Sequence, residues 1–85
     1  MAACNFTIDL TSPASEVFQN MKTKIEKQGG TLNGDDSAGA FSVSVLGSGI
    51  SGSYSIAGTQ MDVVIDHKPF LISCNQIKSY LESNL

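Results

Sequence analysis

Apolar and polar residues alternate from Asn5 to Leu10. Phe6, Ile8 and Leu10 share one face and Thr7 and Asp9 the other, which is the period of a half-buried strand. At Ser12-Pro13 the period changes. Ala14, Val17, Phe18, Met21, Ile25 and the stem of Gln28 fall in one stripe at helical spacing, so a helix is expected there with an apolar face toward a core. Ser12 is the expected cap and Pro13 the expected first helical residue, where a missing N–H costs nothing. Glu16 near the start and Lys24 and Lys27 near the end suit the helix dipole. Gly29-Gly30 ends the helix, because glycine accepts the left-handed conformation of a C-terminal cap.

Period two then returns. Thr31-Leu32 reads as a short strand and Asn33-Gly34-Asp35-Asp36 as a turn. Phe41, Val43 and Val45 alternate with Ser42 and Ser44; Ile50, Gly52, Tyr54 and Ile56 alternate with Ser51, Ser53 and Ser55; Met61, Val63 and Ile65 alternate with Asp62, Val64 and Asp66. Gly47-Ser48-Gly49 and Ala57-Gly58-Thr59-Gln60 separate these runs, and short glycine turns between alternating runs indicate an antiparallel meander. Pro69 is expected to open a last helix, with Phe70, Leu71, Cys74, Ile77, Leu81 and Leu85 in its apolar stripe, Ile72 outside it and Tyr80 at its edge.

The expected fold class is α+β: a two-layer sandwich in a single domain spanning 1–85. Its order is strand, helix, antiparallel meander of three or four strands, helix, with both helices on one face of the sheet. Thr7, Asp9, Asp62 and the strand serines line the other face.

Composition narrows the function classes. Apolar residues make up 41% of the chain and charged residues 15%, too apolar and too weakly charged for a disordered chain. The balance of five basic and eight acidic residues gives a net charge of −3. Every basic residue is Lys, so the clustered cations that nucleic-acid binding needs are not expected. No apolar run approaches the length of a membrane span. Cys4 and Cys74 lie 70 positions apart with no CxxC spacing, so metal and redox motifs are absent. With no secretory signal in MAACNFTIDL, the expected location is cytoplasmic and both thiols are expected reduced, a Cys4–Cys74 bridge remaining the alternative.

Candidate chemistry is sparse. Gly47-Ser48-Gly49-Ile50-Ser51-Gly52 is a literal GxGxxG. A dinucleotide loop needs a helix after the third glycine, because the pyrophosphate sits on a helix N-terminus. Ser53-Tyr54-Ser55-Ile56 instead has strand period, so a hairpin turn at Gly47 and Gly49 is expected, with Gly52 permitting close approach. No cofactor is expected. His67 has the parity to point inward at a strand end, but no nucleophile and orienting partner are specified by spacing. Asp35-Asp36 reads as turn chemistry, and Asp62 and Asp66 as solvated positions that discourage strand aggregation. No catalytic or metal-binding residue is expected.

The least ordinary feature is the serine face, formed by Ser42, Ser44, Ser51, Ser53 and Ser55. It is either a solvated sheet face or a surface for self-association or a ligand. The space between helices and sheet, with Met21, Met61 and Gly52, is a second candidate because methionine repacks easily.

Gly49-Ile50-Ser51-Gly52-Ser53-Tyr54-Ser55-Ile56, the strand Met61–Asp66 and Lys68-Pro69-Phe70-Leu71 leading into a helix with Ile77, Leu81 and Leu85 resemble the polyhydroxyalkanoic acid system protein family of small bacterial proteins. The resemblance implies a non-enzymatic bacterial protein associated with polyhydroxyalkanoate granules. Ile72 and Tyr80, off the main helix stripe, are the candidate contacts with a polymer or partner surface. The order strand–helix–meander–helix is also similar to a shortened helix-grip, START-like fold, which implies a carrier of a small apolar ligand. A homodimeric interaction module using the serine face is the third reading.

Overall fold

The computed structural model describes residues 3–45 and 48–83. The architecture is α+β: a five-stranded antiparallel sheet and two helices. The elements are β1 (Cys4–Asp9), α1 (Ala14–Lys27), β2 (Thr31–Gly34), β3 (Ala38–Val45), β4 (Ser48–Ala57), β5 (Gln60–His67) and α2 (Cys74–Ser83). Strand order is β1-β5-β4-β3-β2. Strands β2 to β5 therefore form a four-stranded meander, and β1 joins it beside β5 across the α1 connection.

Helix α1 follows its apolar stripe: Val17, Met21 and Ile25 are buried and Phe18 packs at the core margin. Its N-cap is Pro13 with no side-chain cap hydrogen bond, so the capping role expected of Ser12 is not realised. The C-terminus closes as the sequence suggests. Gly29 has φ +81°, its N–H donates to Glu26 C=O at 3.0 Å, and the Gly30 N–H reaches Ile25 C=O at 2.9 Å. These two bonds satisfy carbonyls the helix leaves unpaired.

One face of the sheet is buried. Cys4, Ile8, Leu32, Phe41, Val43, Ile50, Tyr54, Met61, Val63 and Ile65 all face into one cluster with Val17, Met21 and Ile25 of α1 and Ile77 and Leu81 of α2. The opposite face is open, with Asn5, Thr7, Asp9, Ser42, Ser44, Ser55 and Asp62 exposed.

The third glycine of the GxGxxG lies inside strand β4. A Cβ on Gly52 would fall on the Val64 carbonyl oxygen, with Ile65 Cα at 3.1 Å; the residue is glycine because β5 approaches there. Gly49 also belongs to β4, so it is not a turn residue, and the turn expected at Gly47 lies outside the described residues. The ladder slips beside Gly52: Ser51 pairs with His67, while Gly52 pairs with Ile65. This bulge takes up Asp66 as an extra residue. The parity count for His67 therefore fails, and the imidazole is exposed rather than inward.

Tyr54 ties the core to the β2–β3 turn. It is buried, and its hydroxyl donates to the Asp35 carbonyl oxygen at 2.7 Å. The Asp35 carboxylate accepts from the Ser37 and Ala38 N–H groups, which lowers its pKa. Burial, then the nearby Asp35 and Asp36 charges, raise the pKa of Tyr54. A tyrosine whose pKa is higher folded than unfolded contributes stability that is complete below the unfolded value near 10 and is lost as pH rises through the folded value. In urea melts between pH 7 and 11, the wild type is expected to lose stability above about pH 10 more steeply than Tyr54→Phe. At neutral pH the variant is expected to be about 1 kcal/mol weaker for want of the hydrogen bond. Equal alkaline slopes would refute this role.

Candidate functional site

The largest departure from the sequence reading lies between β5 and α2. A helix opening at Pro69 would bury Phe70 and Leu71. In the structure α2 begins at Cys74, and Phe70 and Leu71 are 89% and 82% exposed. Two local interactions cause this. Ser73 and Gln76 form a reciprocal capping box: the Ser73 N–H donates to Gln76 Oε1 at 2.8 Å, and the Gln76 N–H donates to Ser73 Oγ at 3.2 Å. Upstream, the Ile72 N–H donates to the Pro69 carbonyl at 3.1 Å. That bond closes a turn with Phe70 and Leu71 at its two central positions, so their side chains project into solvent.

A bridge between Cys4 and Cys74, Cα atoms 5.7 Å apart, fixes the start of α2 to the start of β1. The expectation of reduced thiols is thereby overturned. The pairing depends on how α2 returns to the sheet, and a 70-residue separation carries no hint of it.

Behind the turn lies an apolar cleft of about 100 Å³. Its walls are Ile25 of α1, Phe41, Val43 and Ile50 of the sheet, and Ile72, Gln76, Ile77, Tyr80 and Leu81 on the α2 side. Ile72 and Tyr80, expected off the helix stripe, thus come together at one cleft, both half-buried against the core. The Tyr80 hydroxyl accepts a hydrogen bond from Gln28 Nε2 at the end of α1, which holds the two helices together at this end. The cleft is well below the roughly 300 Å³ of a drug-sized ligand site. A groove of about 310 Å³ lies elsewhere, but it is solvent-open and lined by Ser15, Phe18, Gln19, Gly34, Asp35 and Asp36.

The serine residues sit on the other side of the sheet. Ser42 pairs with Ser51 and with Thr31, Ser53 with Ala40 and Val64, and Ser55 with Asp62. Ser42, Ser44 and Ser55 are exposed, and Ser51 and Ser53 half-buried. Two polar links cross this surface: Thr7 Oγ1 donates to Asp62 Oδ1 at 2.7 Å and Gln60 Nε2 donates to Asp9 Oδ1 at 3.3 Å. The bulge also sets His67 opposite Ser51, a neighbour that parity alone does not reveal. No side-chain hydrogen bond joins the two. Among the described residues no group of three His, Cys, Asp or Glu side chains is placed to hold a metal ion. No described helix is long and apolar enough to cross a membrane.

No family model, no curated protein and no solved structure matches this chain.

Proposed function

We propose that this protein is a non-enzymatic attachment module whose Phe70–Leu71 turn adsorbs to an apolar surface. The observation that carries this reading is the exposure of two adjacent large apolar side chains, 89% and 82%, on a turn closed by backbone hydrogen bonding and a capping box. Resemblance to polyhydroxyalkanoate-system proteins suggests the chemistry of that surface: an uncharged aliphatic polyester, as in a storage granule. The net charge of −3 favours such a surface over an anionic bilayer, which attracts basic segments.

The magnitude is modest. Burying Phe70 and Leu71 fully is worth about 1.5–3 kcal/mol each, which corresponds to roughly millimolar affinity for one copy. Attachment is therefore reversible unless several copies act together, and a homodimer would supply that. Disulfides are rare in reducing compartments, so the Cys4–Cys74 bridge counts against a cytoplasmic granule and for a polyester surface of the same chemistry in an oxidising compartment.

Mixing the protein with poly(3-hydroxybutyrate) particles and sedimenting them is the direct test. The wild type is expected to co-sediment, and F70S/L71S to lose about tenfold or more of that binding with an unchanged melting temperature, since neither side chain packs in the core. Co-sedimentation no greater than that of a similar-sized control protein would reject the proposal. A second reading, carriage of a small apolar ligand, is supported by the cleft at Ile72 and Tyr80. At about 100 Å³ it fits only a ligand smaller than benzene, which occupies a cavity of roughly 150 Å³.

A further inference from the structure

We infer that the Cys4–Cys74 bridge is a redox gate on the apolar turn. This gating presupposes the adsorptive reading above and concerns regulation of the same site. Cys4 lies opposite Ile65 in the β1–β5 ladder. Two residues beyond Ile65, at His67, the chain leaves the sheet; it turns at Pro69–Ile72 and comes back at Cys74. One foot of this loop, His67, is held in the sheet, and the other is held by a sulfur–sulfur bond to Cys4, the ladder partner of Ile65 just before the first foot. With both feet fixed, the turn that exposes Phe70 and Leu71 is held in one position on the domain.

Helix α2 has few other anchors. Of its ten residues only Ile77 and Leu81 are buried, and Tyr80 meets Gln28 toward its far end. Ten residues are too few for a helix to persist alone in water. The bridge therefore secures the end of α2 nearest the turn.

The sulfurs differ in access: Cys4 is buried, whereas Cys74 is half-buried at the start of α2. An external dithiol supplies the electrons. Its thiolate attacks Cys74 Sγ, the bridge breaks, and the Cys4 sulfur leaves and takes up a proton. The second thiolate of the reductant then attacks the mixed disulfide and displaces the Cys74 sulfur, which takes up a proton. The protein gains two electrons and two protons, and the reductant ends as its own disulfide. The freed loop from Lys68 to Cys74 spans about seven residues, for which loop-closure entropy predicts an increase in α2 opening on the order of fiftyfold. An unclamped turn no longer presents its side chains pre-ordered, so adsorption weakens by about tenfold or more.

The test compares the oxidised full chain, the same chain in dithiothreitol, and C4S/C74S by backbone NMR and by sedimentation with poly(3-hydroxybutyrate) particles. The expected result is that resonances of 68–82 move to unfolded positions in both unbridged forms, those of β3, β4 and β5 stay native, and adsorption falls by the stated factor. Native α2 resonances without the bridge, or loss of the whole native spectrum, overturn the gate; so does equal adsorption by all three forms. If α2 is released but even the oxidised chain fails to adsorb, the adsorptive reading falls and the hinge stands.

Discussion

Removing the Cys4–Cys74 bridge is expected to lower the global unfolding free energy by about 4 kcal/mol, the loop-closure value for some 70 residues. The bridge spans 70 positions of an 85-residue chain, so nearly the whole unfolded ensemble is constrained by it. Small domains hold only about 5–15 kcal/mol in total, and for this size each kcal/mol shifts the melting temperature by about 4–8 °C. A drop of roughly 15–30 °C is therefore expected. Calorimetry of the oxidised protein against C4A/C74A measures it directly. A difference under about 5 °C would mean that native-state adjustment cancels the entropic gain.

Truncating Ile65 to alanine is expected to cost about 2–5 kcal/mol. Its side chain is fully buried on β5, with Cys4 opposite on one side and Gly52 on the other. Gly52 has no side chain to move into the vacated space, and Cys4 is tied to α2, so the site collapses poorly and the upper half of the range is expected. Ser53→Ala on the open face is the control, expected within about 0.5 kcal/mol of wild type. Urea melts of both decide the matter; an Ile65→Ala loss under about 1 kcal/mol contradicts this packing.

The parts of this molecule that obey a simple period were legible in its sequence. Ser42, Ser44 and Ser55 do stand on an open face, and Val17, Met21 and Ile25 do pack in the core, because period two and period 3.6 are properties of the local backbone. The α2 boundary misled because Phe70, Leu71, Cys74, Ile77 and Leu81 continue helical spacing through a turn. The deciding signal, Ser73 three residues before Gln76, was present and is a recognised helix start. His67 defeated the parity count because one extra residue in a strand reverses every side chain beyond it. The partnership of Ile72 and Tyr80 depends on α2 crossing the end of α1, and the cysteine pairing on β1 lying beside β5. Both are long-range facts that no local pattern encodes.

The bridge also shapes how the molecule carries load. Cys4 stands at the start of the first strand and Cys74 at the start of the last helix, so tension applied from outside this pair passes through a covalent bond instead of the sheet. With the bond cut, the 70 positions between them are free to extend by up to roughly 240 Å at 3.3–3.6 Å per residue. With it intact almost none of that length is released, and a copy stuck to a surface at its tip and pulled by its outer segments behaves as a short, stiff tether.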